Sequence, residues 1–223
     1  MGLSAQHAMT LGIQRFEDRW FRSVGTYNKF MLHPGFYHCF EKWDYILVYQ
    51  LDAWVFRDEL EKWCEKEYAY IGAPFFTDRG ELMPFAGNGG LSLRHVQSFI
   101  MVLEGTYRPK RWNSAFMFTR IPARNALRMA VKHTIHLLEM AFCRLSTKWY
   151  CSLLHEHEDF IFSKVFSLLG DKNVPLPHEA ALFAFERFPR KLFAMTNGVL
   201  PFGCHAFEKY DPEFWQTWGH SAK

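Results

Sequence analysis

The sequence predicts one α/β domain spanning residues 1–223, with a central mixed sheet flanked by helices. Patterns typical of helices and of strands alternate along the chain, as expected of an α/β protein. No internal repeat, low-complexity tract or linker interrupts this alternation. Hydrophobic residues make up 49% of the chain and charged residues 22%, which is typical of a soluble globular protein. A chain of this length can bury one sizeable core but rarely forms a second domain.

The first half of the chain carries the predicted strands. Residues 12–32 have a helical pattern that ends before His33-Pro34-Gly35, a combination that stops a helix. Between Asp44 and Gln50 runs a continuous series of β-branched and aromatic residues, which is typical of a strand buried on both faces of a sheet. The elements predicted next are a short charged helix over 58–66, a strand over Tyr68–Ala73, and a turn from Gly87 into a third strand that ends at Arg94.

The second half is mainly helical in pattern. Helices are predicted from about Pro122 to Leu145 and from about Glu158 to Leu169, and a segment rich in Phe, Pro and Gly follows. In open α/β sheets, ligands bind outside the carboxyl ends of the strands. Polar residues just beyond those ends are therefore the first candidates for a functional site.

Charge and cysteine content narrow the function classes and the location. The formal net charge of +3 is too small to indicate a nucleic-acid partner. The five cysteines are odd in number and lack a CxxC spacing, so we expect reduced thiols. The first residues do not show the pattern of a secretory leader, and no apolar run of about 18 residues occurs. We therefore expect a cytoplasmic protein that can be peripheral to the membrane.

Asp52 follows the first predicted strand and is the first candidate site residue. A carboxylate that leaves an apolar strand needs a cation, a hydrogen-bond donor or solvent, because burying it alone costs several kcal/mol. A metal ion would satisfy it. The alternative is an Asx turn before Trp54, in which Asp52 only caps the chain reversal.

A glycine-rich segment, Ala86-Gly87-Asn88-Gly89-Gly90-Leu91-Ser92-Leu93-Arg94, is the second candidate. Its glycines and Asn88 allow positive φ angles and a close approach of the backbone to a ligand such as a sugar or a diphosphate. The alternative is an ordinary Asn-Gly turn that leads into an alternating strand.

The third candidate is the run His155-Glu156-His157-Glu158-Asp159 at the start of a predicted helix. A carboxylate at a helix N-terminus stays ionised and suits a general base toward a sugar hydroxyl, which makes Asp159 the candidate base. The alternative is simple capping of the helix. The His-Glu-x-x-His motif of zinc proteases is absent from this run.

Taken in order, these segments resemble glycosyltransferases of the GT-A fold, most closely a family of short, poorly characterised bacterial sugar transferases. The resemblance runs from about Tyr27 to Trp215. It is carried by Tyr49-Gln50-Leu51-Asp52, Tyr70-Ile71-Gly72-Ala73-Pro74, Gly87–Arg94, Glu158-Asp159, Pro177-His178-Glu179-Ala180 and Gly203-Cys204-His205. It implies a single GT-A-like, Rossmann-like domain. Only residues 1–43, mostly helical in pattern, precede the strand that ends near Asp52, so the N-terminal nucleotide-binding part is expected to be abbreviated or completed by a partner chain or second copy.

The resemblance also implies roles for individual residues. Asp52 and His205 would hold a divalent cation, Mn²⁺ or Mg²⁺, on the donor diphosphate, although Gln50 stands where the usual Asp-x-Asp motif has its first acid. Asp159 would be the catalytic base of an inverting enzyme. The implied donor-binding residues are Gln50, Asp52, Gly87, Asn88, Gly89, Gly90, Arg94 and Glu158.

The implied activity is a hexosyltransferase-like transfer of a sugar from a nucleotide-sugar donor to a glycan or lipid-linked acceptor, as in polysaccharide biosynthesis. Two other classes stay open. One is a nucleotide-sugar or glycan-binding domain without turnover, and the other is a metal-dependent phosphoester hydrolase that uses Asp52, Asp159 and histidines.

A basic series lies outside the resemblance. Arg120, Arg124, Arg128 and Lys132 recur at every fourth residue, which on a helix would align them as one ridge. We expect this ridge either to be an ordinary solvated face or to contact anionic lipid headgroups or a phosphate-bearing acceptor.

Overall fold

The structure is a computed structural model that describes residues 12–108, 126–170 and 173–219, and for 126–133 it describes the backbone alone. A short 3-10 helix, Asp18–Phe21, comes first. The α-helices in these ranges are α1 Val24–Met31, α2 Pro34–His38, α3 Leu60–Cys64, α4 Val96–Glu104, α5 Ala126–Leu145, α6 Thr147–Leu153, α7 Glu158–Leu169, α8 Pro177–Phe183, α9 Pro189–Met195 and α10 Pro212–Gly219. The strands are β1 Tyr45–Tyr49, β2 Ala53–Val55, β3 Tyr70–Gly72, β4 Pro74–Phe76, β5 Leu82–Ala86, β6 Leu91–His95, β7 Ala184–Phe185 and β8 Gly203–His205.

The strands form three small open sheets. The first has the order β1-β6-β3 and is antiparallel throughout. The second has the order β2-β8-β7, with β2 antiparallel and β7 parallel to β8. The third is the antiparallel pair β4 and β5, whose register is irregular between Pro74 and Phe76.

The first sheet lies between two hydrophobic clusters because its side chains alternate between its faces. Tyr70 packs with α4 and α7 residues such as Phe99 and Phe166 on one face. Ile71 and Leu93 face the other way and pack with Trp63 of α3 and Phe183 of α8. Helices therefore cover both faces of this sheet, as predicted.

A third cluster covers the second sheet and joins it to the end of the described chain. Phe185 and Cys204 pack there with Leu192 of α9 and with Phe214 and Trp215 of α10. The second sheet is thereby fixed by elements that follow it in the sequence.

The prediction of an α/β protein is confirmed as a mixture of helices and small open sheets, but the expectation that the first strand is buried on both faces was wrong. β1 is an edge strand, its residues are half-buried or exposed, and Tyr49 is 50% exposed. The central strand is β6, in which Leu91 to Arg94 are buried. A run of β-branched and aromatic residues also suits an edge strand when helices cover only parts of its two faces.

Several boundaries also differ from prediction. Regular structure in the region 12–32 is confined to the short 3-10 helix and α1, which begins at a capping box between Ser23 and Thr26. The β4–β5 pair was not predicted. The helix expected from Glu158 to Leu169 is confirmed with those bounds as α7. None of the helices in the described ranges combines the length and hydrophobicity needed to cross a bilayer.

Candidate functional site

Three segments that lie far apart in the sequence meet at one edge of the first two sheets. β1 ends beside the start of β6, where Tyr49 pairs with Leu91 and the Gln50 amide donates to the Gly90 carbonyl at 3.0 Å. β2 starts beside the end of β8, where Ala53 pairs with His205. Antiparallel pairing thus places the residues after β1, the glycine segment and His205 next to one another.

The glycines of this segment are required by packing inside the protein. A Cβ on Gly90 would overlap the His205 ring, and a Cβ on Gly89 would lie 2.7 Å from a Glu158 carboxylate oxygen. Gly87 has a φ of +133°, and a Cβ there would overlap the Tyr70 ring and the Ser163 hydroxyl. The close approach that we expected toward a ligand is therefore made, in this structure, toward neighbouring side chains.

The amides of the segment are also bonded within the chain. The N–H groups of Gly87 and Asn88 donate to the Ala73 carbonyl at 3.0 and 3.1 Å. The Gly90 amide donates to Asn88 Oδ1 at 3.1 Å, and the Gly89 amide donates to the Asp159 carboxylate at 3.1 Å. The segment is thus held rigidly, and half-buried Asn88 is its least buried residue.

Asp159 joins the glycine segment to the start of α7. Its Oδ2 accepts the Gly89 amide, and its Oδ1 accepts the amide of Phe160 at 2.7 Å. The residue is half-buried, and each carboxylate oxygen retains a second lone pair. Asp159 can therefore position the segment and still accept a hydrogen bond from a ligand.

Arg94 and Glu158 form a buried ion pair behind the segment. Two nitrogens of the Arg94 guanidinium donate to the Glu158 carboxylate at 3.1 and 3.3 Å, and their side chains are 0% and 5% exposed. Burial lowers the pKa of Arg94, but the Glu158 carboxylate outweighs it and the pKa is raised. Both residues were expected in the donor site, and the structure places them behind its surface.

The surroundings of this pair bond two further donors of Arg94. Its guanidinium donates to the Tyr37 hydroxyl at 2.8 Å and to the Ser92 hydroxyl at 3.0 Å, and Ser92 in turn donates to the Gly89 carbonyl. The ring of Phe99 lies 5.4 Å from the guanidinium carbon. The pair therefore connects α2, β6 and α7 to the glycine segment through hydrogen bonds.

His205 is the centre of a polar cluster at the exposed end of the site. Its Nε2 lies 3.0 Å from Gln50 Oε1 and 3.2 Å from Asp52 Oδ1, and its Nδ1 lies 3.6 Å from Glu186 Oε1 without a hydrogen bond. Burial lowers the pKa of His205, but the Glu186 and Asp52 carboxylates outweigh it and the pKa is raised above its ordinary value. Because both neighbours of Nε2 are acceptors, this nitrogen carries a proton.

The donor atoms around His205 fit the implied divalent cation in part. Among the residues that the structure describes, no three His, Cys, Asp or Glu side chains form a group that could hold a metal ion. Asp52 and His205 supply a carboxylate and an imidazole, and Gln50 adds an amide oxygen. Mg²⁺ is usually held by one or two carboxylates together with substrate phosphates. Completing the ligand shell of such a cation would therefore require the oxygens of a diphosphate and the loss of the Nε2 proton.

Glu186, Tyr37 and Tyr70 lie at this site but were not among the site residues predicted from the sequence. Glu186 directly follows β7, so it has the same signal as Asp52, a carboxylate just beyond an apolar strand. Tyr37 and Tyr70 are fully buried and hydrogen-bonded to Arg94 and to the Gly87 carbonyl. No local pattern marks them, because their partners are distant in sequence.

The basic ridge cannot be placed at this site. Arg120 and Arg124 lie outside the described residues, and the side chains of Arg128 and Lys132 on α5 also lie outside them. The ridge stays a prediction from the sequence.

One comparison with known proteins finds a family. The family model described as Protein of unknown function (DUF5672) matches residues 10–205. No curated protein and no solved structure matches the chain. The matched range contains the glycine segment, Asp159 and His205, so the whole candidate site lies within the family match. It ends before the segment that leads into α10.

Proposed function

We propose that this chain, which belongs to the DUF5672 family of proteins of unknown function, is a cytoplasmic glycosyltransferase with a GT-A-like domain. It would move a sugar from a nucleotide-sugar donor to a glycan or lipid-linked acceptor with inversion at the anomeric carbon. The observation that carries the proposal is the meeting of Asp52, the glycine segment, Asp159 and His205 at one sheet edge.

The residues of the candidate site have separate roles in such a transfer. A divalent cation, Mn²⁺ or Mg²⁺, held by Asp52 and His205 would neutralise the charge that develops on the departing diphosphate. Asn88 and Gln50 face the donor, while Arg94 and Glu158 keep the glycine segment in place from behind. Asp159 accepts the proton of an acceptor hydroxyl. At the same time the oxygen of that hydroxyl bonds to the anomeric carbon, and the bond from this carbon to the diphosphate breaks.

A second candidate is a nucleotide-sugar or glycan-binding domain without turnover. One observation favours it: both oxygens of Asp159 already accept backbone amides, which is the arrangement of a residue that holds a loop. A domain of this kind would bind the same donors but release no product.

Thermal shift measurements with a panel of nucleotide sugars, with and without Mn²⁺, test the proposal. A ligand at 100 times its Kd raises the free energy of unfolding by about 2.7 kcal/mol, so a true donor gives a clear shift. Asp52→Asn should abolish the Mn²⁺-dependent part of that shift. Asp58→Asn, which changes an exposed carboxylate nearby in sequence, is the matched control and should leave it unchanged.

Product analysis then separates the candidate classes. Transfer of the sugar to an acceptor supports the transferase, and binding without any product supports the binding domain. Hydrolysis of simple phosphoesters with Mn²⁺, without binding of nucleotide sugars, would instead support the metal-dependent hydrolase.

A further inference from the structure

A cavity of about 440 Å³ opens between the segments that follow β7 and β8. Four basic residues line it, Arg187, Arg190, Lys191 and Lys209, together with Phe188 and Asp211. Small-molecule sites in proteins typically have volumes of about 300–1,000 Å³. The cavity is therefore large enough for a small ligand with a charged group.

The charge of this cavity is positive even after its ion pairs are considered. Asp211, its only lining carboxylate among the described residues, accepts two hydrogen bonds from Arg190, at 2.7 and 3.1 Å. Arg187 donates to the Phe76 carbonyl at 3.4 Å, and the carboxylate nearest to it is that of the fully exposed Asp78, at 3.5 Å. Lys209 makes no ion pair with any residue in the described ranges. Lys209 and the guanidinium donors of Arg187 that do not bond Phe76 are thus available to an anion.

The fold brings these basic residues together after the ends of two parallel strands. β7 is followed by Glu186 and then Arg187, and β8 ends at His205, four residues before Lys209. Parallel strands end at the same edge of a sheet, which is where open α/β sheets bind ligands. No residue of the glycine segment, nor Asp52 or His205, lines the cavity. It is therefore a separate subsite at the same edge.

Backbone conformations at this edge are unusual. Phe188, Ala206 and Asp211 all have positive φ angles, between 52° and 56°, although none is a glycine. A bulky residue such as Phe188 rarely adopts this conformation, which persists only where the surrounding structure holds it. Residues with strained backbone conformations are concentrated at ligand sites. Here they direct the two segments that carry the basic side chains around the cavity.

We propose that this cavity binds the phosphate group of a phosphate monoester. A guanidinium matches the geometry of two phosphate oxygens, and a Lys ammonium adds a third charged donor. A phosphate group alone would fill a small part of the cavity, so the ester's organic part would occupy the remainder. The proposal does not depend on the glycosyltransferase activity, because it uses none of the residues assigned to that reaction.

Titration calorimetry with glycerol 3-phosphate at constant ionic strength tests this inference. The wild-type chain should bind it saturably, and glycerol should not bind. The double variant Arg187→Gln, Lys209→Gln should weaken binding by about tenfold or more, because it removes charge-assisted hydrogen bonds to the phosphate. The control Lys42→Gln, Lys62→Gln removes the same charge from exposed positions outside the cavity and should bind as the wild type does.

Two further measurements identify the source of the phosphate and the place where it binds. Vesicles that contain phosphatidate present the same monoester on a lipid, and binding to them but not to glycerol 3-phosphate would identify a lipid headgroup as the ligand. Asp52→Asn should bind glycerol 3-phosphate normally. Equal binding by the wild type and the Arg187, Lys209 double variant would overturn the proposal, as would a loss of binding in Asp52→Asn alone.

Discussion

Asp159 has two roles that mutation can separate. Asp159→Asn should keep donor binding and lower turnover by about 10²–10⁴-fold, the usual loss when a general base is removed. It should also reduce stability by about 1 kcal/mol, because one of the two oxygens that accept backbone amides becomes an NH₂ group.

The pH dependence of turnover distinguishes the two roles. Loss of a general base removes the acidic limb of the profile of kcat against pH, whereas a loosened glycine segment lowers kcat at every pH. Near-normal turnover would exclude Asp159 as the base. A product that retains the anomeric configuration would contradict the inverting mechanism for any variant.

His95 makes stability depend on pH at the start of α4. Its Nδ1 accepts the Ser98 amide at 3.3 Å as the N-cap, and burial lowers its pKa below the ordinary 6.5. As the pH falls, His95 is therefore protonated at a higher pH in the unfolded chain than in the folded chain. The stabilisation is complete above pH 6.5 and is lost progressively below it, until the pH passes the lowered pKa of the folded state.

Denaturant unfolding between about pH 7 and about pH 5 measures this effect, in the range where histidine titrates. His95→Asn keeps a side chain that can cap the helix but cannot titrate, so it should lose less stability on acidification than the wild type. His178→Asn changes an exposed histidine and serves as the control. Identical losses in the wild type and His95→Asn would show that the cap does not titrate.

At the scale of the elements, the Arg94–Glu158 pair is the main polar connection between β6 and α7. Glu158→Gln leaves the Arg94 guanidinium buried without a counter-charge, and breaking one partner of a buried pair typically costs about 3–5 kcal/mol. Glu156→Gln, two residues earlier and exposed, should change stability by less than about 0.5 kcal/mol. Chemical denaturation of both variants makes the comparison, and equal stabilities would show that the pair contributes little.

A neutral double variant tests whether the pair is needed for the site. Arg94→Met with Glu158→Leu should recover much of the lost stability, because replacing a buried pair by apolar side chains is often neutral. It also removes the hydrogen bond that Arg94 donates to the Ser92 hydroxyl, which itself donates to the Gly89 carbonyl. We therefore expect a stable protein that binds its donor more weakly than the wild type does.

The elements that the sequence predicted well are those whose signal is local. The α7 helix was predicted with its bounds because acidic residues open it and its apolar residues have helical spacing. β5 was missed, and Pro84 in its middle explains the failure, since proline cannot donate to a ladder and usually argues against a strand. β1 was found as a strand but was wrongly expected to be buried on both faces, because residue types do not record which neighbours a strand has.

The same difference between local signals and long-range contacts applies to the candidate site. Asp52 and Asp159 stood out as polar residues at the ends of predicted elements, and His205 was implied by the family resemblance. The structure brings their segments to one edge. The burial of Arg94 against Glu158 depends on a contact across 64 positions, and the basic cavity depends on two strands of two and three residues running in parallel. Contacts of that range have no local signature in the sequence.

At the scale of the whole molecule, the first sheet joins two hydrophobic clusters that would otherwise be separate. Neighbouring residues of β3, Tyr70 and Ile71, point into different clusters, so neither cluster can lose its packing without disturbing the shared strands. The sequence predicts one domain over residues 1–223, and this sharing gives a physical reason to expect a single cooperative transition on unfolding.

Two matched substitutions test that expectation. Phe166→Ala removes a fully buried ring from one cluster, and Phe183→Ala removes one from the other. Each should destabilise by about 3–5 kcal/mol and lower the Tm of the whole chain by roughly 10 °C. Scanning calorimetry combined with tryptophan fluorescence would follow both, and each variant should shift both signals together. Two resolved transitions, with each substitution shifting a different one, would divide the chain into two units with the first sheet as their boundary.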